Sequence, residues 1–544
     1  MRATSFRRLV AVAAASLVAL TTMVGPADAA DPSSRAAGQD TRSGGGIPEH
    51  FVGFSVEWSL IEQYMGPNAQ PTFANLLANL GTGVLRIGGS SQDQTPFDAT
   101  AENTNRVITP ADLVMIRSTL DRVNGGAASG TKPRWGTVLG TALARTTTTR
   151  PWIGPEHTKS FVTQGVQPAF EGAETYVAGV TLGNEPDLSY RSQVAPYLAR
   201  FHEYDDADVT GPYMPITPGT SEPIFPWQKI AARNDPTRFF WDWPEILDTT
   251  AASSLESVGP FGAWASDHFY PLARTCPSDE YRCPTIERLL SEERVDNFAY
   301  EVHTHAVEAE RHGLGYRMEE LNTAAGRGAN GVSNVAASAI WALDAMFQTA
   351  CPQPPDQPGA NVDCRTGGVG VNFHNAEVRA FYFPEEGNAY YNAINFDPSP
   401  EAGPPTAGPQ YYGVLLFAKL AQGTNRLRPL DLSGVTAEGD HVNGWTADNR
   451  RGQHRLFLIN KDDEPTTLTV DTPSGLYEVN RMTPHDPTGA GRTLDAPEVR
   501  IDGQAVAADG TWPGFRPTMD SASDGMLTVR LAAGETAVLT RQHD

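Results

Sequence analysis

The 544 residues exceed what one compact core holds, so the length favours a large domain with at least one smaller companion. A formal charge of −23, from 41 basic and 64 acidic side chains, argues against nucleic acid and anionic membrane surfaces as partners. It leaves a small anionic substrate open, because charge inside a pocket is set locally.

Arg2, Arg7 and Arg8, an apolar run from Leu9 to Val24 and the triplet Ala27-Asp28-Ala29 have the pattern of a signal peptide over residues 1–29. The expectation is a secreted, extracellular protein with no membrane association after cleavage; an uncleaved anchor is the alternative. Residues 30–46 are rich in Ser, Gly and Arg and read as disordered or extended. Structure is expected from Ile47.

From 47 to 423, short apolar runs alternate with longer segments of helical spacing, the mark of an α/β protein. The runs read as strands are Phe51 to Trp58, Val84 to Gly88, Arg134 to Leu139, Val177 to Leu182, Tyr213 to Thr217, Trp264 to Phe269, Gly315 to Glu320 and Val369 to Phe373. Helical spacing covers Phe73 to Leu80, Pro110 to Val123, Gln193 to Tyr204, Thr285 to Arg294, Asn297 to Arg311, Val332 to Thr349 and Tyr411 to Leu420. Eight strands with helices between them over roughly 370 residues predict a (β/α)8 TIM barrel. Over 424–544 the helical spacing stops and Gly, Pro, Asp and Thr punctuate brief apolar runs, which predicts an all-β sandwich domain. Trp445 and Trp512 within it are candidates for a carbohydrate platform or for core.

Cys276, Cys283, Cys351 and Cys364 form two close pairs. An even count in an exported chain points to two local disulfides, and nearest-neighbour pairing closes the smallest loops. A zinc site is the rival reading, weakened by the lack of histidine at ligand spacing.

Chemistry gathers at two strand ends. In Val180-Thr181-Leu182-Gly183-Asn184-Glu185-Pro186 the apolar run breaks at a carboxylic acid after the fourth strand, where a barrel enzyme keeps a general acid. Glycoside hydrolysis requires a second carboxylate, and Glu320 at the end of the seventh strand supplies it. Alternation places Tyr316, Met318 and Glu320 on one face and Arg317 and Glu319 on the other, so an inward first set puts Glu320 in the site; Glu319 is the competing choice. Two carboxylates on opposite walls can lie about 5 Å apart, the separation for a retaining double displacement. Such chemistry requires no metal or organic cofactor.

These motifs resemble the clan A glycoside hydrolases, and more closely glycoside hydrolase family 79, the β-glucuronidase and heparanase family. The resemblance rests on Gly53-Phe54-Ser55-Val56-Glu57, Leu85-Arg86-Ile87-Gly88-Gly89-Ser90, Leu182-Gly183-Asn184-Glu185-Pro186, Arg317-Met318-Glu319-Glu320-Leu321-Asn322 and Gly331-Val332-Ser333-Asn334 with the helix after it. It implies a β-sandwich after the barrel, Glu185 as acid/base and Glu320 as nucleophile, since the family's nucleophile stands two residues before an Asn. Asn184 is then expected on the sugar's 2-hydroxyl, or else as a turn residue. His268 and Tyr270 are expected beside the nucleophile, with Tyr270 holding Glu320 ionised; a satisfied core pair is the alternative. Glu57 and Ser90 resemble sugar-binding positions and equally suit structural capping. Arg86 reads as a buried partner for a barrel carboxylate.

Family members that bind glucuronate use a Tyr shortly after the nucleophile and another after strand eight. The corresponding positions here are read as Ala325, followed by Gly326 and Arg327, and Phe373, both without a hydroxyl. Arg327 or His374 can replace a phenol as a charged donor. Two readings of the substrate follow: a β-glucuronide cleaved from the chain end, or a neutral β-glycoside such as a glucoside, galactoside or xyloside. A non-catalytic carbohydrate-binding barrel is the reading from a different class.

Overall fold

The computed structural model describes residues 45–102, 106–126, 132–143, 154–190, 193–206, 215–216, 243–255, 259–276, 281–355, 359, 361–376, 388–396, 403–432, 435 and 441–542. Residues 1–29, with the pattern of a signal peptide, and residues 30–44 lie outside them. Eight parallel strands form one sheet: β1 (Gly53–Glu57), β2 (Gly83–Gly88), β3 (Trp135–Thr141), β4 (Val177–Leu182), β5 (Pro215–Ile216), β6 (Trp264–Phe269), β7 (Gly315–Leu321) and β8 (Gly370–Asn375). Their order, β5-β4-β3-β2-β1-β8-β7-β6, joins the first strand to the last, so the sheet curls into a barrel. Of the predicted fifth strand, 213–217, only Pro215–Ile216 is described, and no ladder joins it to β6 among the described residues.

Strands such as β2 and β4 are nearly continuous apolar runs because both faces are covered, whereas β6, β7 and β8 carry polar side chains into the barrel. Outward residues meet a helical layer: Phe54 stacks on Tyr411, and Phe373 meets Trp341 edge to face. Inward residues at the foot of the barrel form a separate apolar plug, including Val84, Val138, Ala178 and Trp264. The predicted helix Thr285 to Arg294 is two elements, Ile286–Leu290 and Glu292–Arg311, divided at Ser291, whose extended backbone (ψ 147°) ends the first and caps the second. The helix Trp243–Leu255 was not foreseen from apolar spacing.

After the barrel an antiparallel sheet follows the order Arg426–Pro429, Val442–Asp448, His454–Asn460, Thr536–Arg541, Gly475–His485, Glu498–Ile501, with Thr518–Ala522 also paired to Gly475–His485. One face packs on the two-stranded sheet of Thr466–Asp471 and Met526–Leu531 through Leu456, Leu458, Leu468, Val470, Val529 and Leu539. The other face joins the barrel's own hydrophobic core, where Trp445 stacks on Phe347 of the helix Ala336–Ala350 at 5.3 Å. Trp445 is therefore core. Residues 45–47 are tied to the same junction, Ile47 N donating to Thr424 O at 2.8 Å and Leu427 N to Gly45 O at 2.9 Å. The cysteines pair as Cys276–Cys283 and Cys351–Cys364.

The junction also holds a buried charge cluster. Lys461, from the sheet, contacts Glu292 and lies 3.6 Å from Asp344 of the barrel helix, while Asn443 donates to both Asp344 oxygens at 2.9 and 3.0 Å. Asp344 is almost sealed, and burial pushes its carboxyl pKa up against the pull of Lys461. Lys461→Met strands that carboxylate and is expected to lower unfolding stability by about 3 kcal/mol at neutral pH. A folded-state carboxyl raised above its unfolded value loses stability as pH rises. Urea midpoints should therefore separate more at pH 8 than at pH 5, and coincident midpoints would refute the assignment.

Candidate active site

The site lies at the carboxyl ends of the strands, where β7 breaks register with both of its neighbours. On β7, Met318 pairs with Val371 and Leu321 with Phe373, so Glu319 and Glu320 together span what Asn372 alone spans on β8. This is a β-bulge, and it lets consecutive side chains turn to one side. Arg317 and Glu319 face the interior, Arg317 donating to Asn372 Oδ1 at 2.6 Å and Glu319 accepting from Trp264 Nε1 at 2.9 Å. Tyr316 packs outward against Trp243 and His305, reversing the expected parity. Glu320 reaches the site through the bulge rather than by alternation.

Against β6 the same bulge appears: Asp267 pairs with Met318 and the next residue, His268, with Glu320, leaving Glu319 extra. The Asp267 carboxylate accepts the backbone N–H of His268 at 2.8 Å and contacts His305 Nδ1 at 2.7 Å. These contacts hold Asp267 outward and leave His268, the next residue of the strand, facing in. His268 Nδ1 lies 3.1 Å from Glu185 Oε1 and 3.8 Å from Glu320 Oε2. Tyr270 OH donates to Glu320 Oε1 at 2.6 Å.

Arg86, inward on β2, donates through Nη1 to Glu320 Oε2 at 2.5 Å and Ser55 Oγ at 3.0 Å, and through Nη2 to Asn184 Oδ1 at 2.7 Å. A guanidinium cannot accept, so the Asn184 oxygen must face it and the amide NH2 is left as the donor. Glu185 follows with φ 45°, a left-handed conformation that side chains adopt at a cost of about 1–2 kcal/mol. Such strain clusters at functional sites. Oxygens of Glu185 and Glu320 and a nitrogen of His268 all lie within 4.8 Å of one another.

Burial alone would raise the Glu320 pKa. The charges of His374, His268 and Arg86 and the Tyr270 hydrogen bond outweigh it and hold the carboxyl well below the usual carboxylate range. Burial likewise opposes protonation of His268, but the Glu320 charge and the Glu185 contact raise its pKa above the ordinary imidazole value. Burial pushes the Tyr270 phenol up, with the Glu320 charge adding to it, so Tyr270 remains a donor. Glu185, His268 and Glu320 have the reach to ligate a cation. The Arg86 guanidinium already on Glu320 Oε2 opposes one.

Glu57 is a structural cap. Its carboxylate accepts Ser90 N at 3.1 Å, Ser91 N at 2.7 Å and Ser91 Oγ at 2.5 Å, and His374 Nε2 lies 3.3 Å away. A Cβ on Gly89 would fall 2.5 Å from that carboxyl carbon, and its φ of 69° also requires glycine. Ser90 contributes its backbone to this cap. Phe373 was expected to line the pocket, but on β8 it points outward to Trp341; the inward neighbour is His374, 3.0 Å from Ser55 Oγ and 3.8 Å from Glu320 Oε2. Tyr391 also borders the site, its ring 6.0 Å from that of Tyr270 at 25° and 6.0 Å from His374. Asn322 fixes this wall, donating to His374 O at 2.8 Å and Tyr391 O at 3.0 Å. No sequence pattern marked Tyr391, which stands in a loop beyond β8.

No protein-family model matches the chain, and no curated protein does. Solved structures share its fold. A 4-O-α-L-rhamnosyl-β-D-glucuronidase from Fusarium oxysporum aligns at a TM-score of 0.58 and 18% identity, over 92% of this chain and 97% of its own. An arabinofuranosidase of glycoside hydrolase family 51 from Xanthomonas axonopodis pv. citri gives 0.55 and 11%, over 93% and 98%. A bifunctional glucanase-xylanase from a metagenome library gives 0.51 and 12%, over 93% and 99%. The fold is thus the TIM barrel with a β domain found in glycosidases.

Removing the Tyr270 hydroxyl takes a donor from the ionised form of Glu320, so Tyr270→Phe is expected to raise the Glu320 pKa. Carbon-13 NMR titration of labelled glutamate, assigned with Glu320→Gln, reads this directly; an unmoved titration would remove Tyr270 from the role given it.

Proposed function

We propose that the protein is an exported, retaining β-glycosidase that acts from the chain end on β-glucuronides, as a member of glycoside hydrolase family 79 within clan A. The observation that carries this reading is the Glu185–Glu320 pair, with oxygens within 4.8 Å and one member held ionised. That spacing suits direct attack on the sugar; an inverting enzyme needs roughly 6.5–9.5 Å to admit a water. The two disulfides fit an oxidising compartment.

In the first step a Glu320 oxygen attacks the anomeric carbon as Glu185 gives its proton to the departing glycosidic oxygen. This forms a glycosyl ester on Glu320 and frees the aglycone. Glu185, now a carboxylate, takes a proton from water; the hydroxide attacks the same carbon and expels Glu320, restoring both groups and the original anomeric configuration. Arg86 and Tyr270 receive the leaving carboxylate, and the Asn184 amide faces the 2-hydroxyl. The likeness to a glucuronidase supports the choice of sugar. A neutral-sugar β-glycosidase is the second reading, favoured by Ala325, whose methyl group stands where the family carries a phenol.

Hydrolysis of 4-nitrophenyl β-glucuronide, glucoside, galactoside and xyloside separates the two readings, and Glu320→Ala is expected to abolish turnover of whichever is cleaved. Activity on none of the four would overturn both. Glu185→Gln is expected to slow poor leaving groups by on the order of 100-fold or more while sparing activated aryl leaving groups in the first step. Equal slowing across a leaving-group series would take the acid role from Glu185.

A further inference from the structure

Behind the site, on the outward face of β6, lies a second cluster of chemistry-bearing side chains that the proposed reaction does not use. Asp267 on β6 and Glu301 and His305, one turn apart on the helix Glu292–Arg311, are all sealed from solvent. One ligand-competent atom of each lies within 4.8 Å of the others. Asp267 divides its carboxylate: Oδ1 accepts the backbone N–H of His268, while Oδ2 faces His305 Nδ1 at 2.7 Å. That contact lacks hydrogen-bond geometry, and among the described residues neither ring nitrogen of His305 has a hydrogen-bond partner. Trp243 stacks on the imidazole at 3.8 Å and 7°, and the Tyr316 ring stands 6.0 Å away, so the plane of the imidazole is fixed.

A buried imidazole with two unanswered nitrogens is costly. A proton shared with Asp267 would need a near-linear N–H···O contact, which this geometry denies. A metal ion asks for something different, because its ligands converge on a common centre rather than on one another. Tetrahedral ligands on bonds of about 2.0–2.2 Å stand roughly 3.3–3.6 Å apart. Binding therefore parts His305 and Asp267 by somewhat more than half an ångström, which the reach of the cluster admits. A divalent ion balances two carboxylates, and one imidazole nitrogen among oxygens selects a first-row transition ion such as zinc over magnesium or calcium. Burial and the charges of Asp267 and Glu301 keep the Tyr316 phenol protonated, which suits it to donate to a ligating carboxylate rather than to ligate.

We propose that Asp267, Glu301 and His305 form a structural site for a divalent transition ion, zinc above all, that pins β6 to its helix directly behind His268. The site is separate from the reaction proposed above and stands or falls without it. The full-length protein, stripped with a chelator and dialysed, is titrated with zinc chloride while metal content is read by plasma mass spectrometry and melting by scanning calorimetry. The expected result is about one tightly held equivalent of zinc per chain. Zinc is expected to raise the apparent Tm by on the order of 5 °C, a shift that magnesium and calcium do not give. Glu301→Gln keeps the size of the side chain and removes its charge; it is expected to retain the wild-type circular dichroism and to bind zinc at least about 10-fold more weakly. Anomalous diffraction at the zinc edge from wild-type crystals locates the ion without any variant. Zinc uptake that is absent in wild type, uptake and melting shift both unchanged in Glu301→Gln, or an anomalous peak only at the surface each overturns the site.

Discussion

Arg86 is the group on which the interior of the barrel depends. Its guanidinium is sealed from solvent and shared among Glu320, Asn184 and Ser55, with its Nε 3.9 Å from Glu319. Two adjacent buried carboxylates would each carry a desolvation penalty of several kcal/mol and would repel one another. A fixed cation between them makes the arrangement tolerable, and hydrogen bonds from Tyr270 to Glu320 and from Trp264 to Glu319 complete it. The same contact that lets the barrel fold around its acids keeps Glu320 ionised and turns the Asn184 amide toward the opening.

Strand irregularity supplies the rest of the geometry. A regular parallel strand offers an inward residue only at every second position, which spaces inward side chains too widely to cluster acids and donors at one level. The bulge on β7, present against both β6 and β8, brings Glu319 and Glu320 inward together and sets Glu320 opposite His268, which contacts both Glu185 and Glu320. Glu185 gains its position from a left-handed backbone just past β4. Both glutamates thus stand where the backbone leaves its regular path, while Arg86 reaches them from a regular strand.

Several strands of the barrel were legible because a parallel strand covered on both faces is a nearly continuous apolar run, as in Val177–Leu182, whose boundaries match its composition; Trp264–Phe269 keeps its predicted bounds although Ser266, Asp267 and His268 interrupt it. That same uniformity hides which face is which. Alternation put Tyr316 inward and selected Glu320; the structure keeps Glu320 but turns Tyr316 outward, because a bulge leaves no trace in residue type. Phe373 and His374 show the converse. The predicted strand ended at Phe373, whereas β8 runs on to Asn375 and it is His374, one residue further, that faces in. Tyr391 carried no signal, since a loop residue reaches a site through tertiary contacts that spacing does not encode.

The two glutamates meet opposed surroundings. Glu320 is 7% exposed at its side chain and faces Arg86, Tyr270, His268 and His374, all able to donate to it or to place positive charge beside it. Glu185 is 16% exposed, sits on the solvent side of the pair and has the His268 ring 3.1 Å away. A group surrounded by donors is suited to remain a carboxylate and attack, whereas a group near solvent can exchange a proton with an aglycone and then with water. In the proposed reaction the imidazole couples them: as Glu320 loses its charge to the glycosyl ester, His268 loses the anion that favoured its proton, while Glu185 becomes the carboxylate beside it. One imidazole, 3.1 Å from Glu185 and 3.8 Å from Glu320, therefore faces whichever of the two acids carries the negative charge at each stage of the cycle.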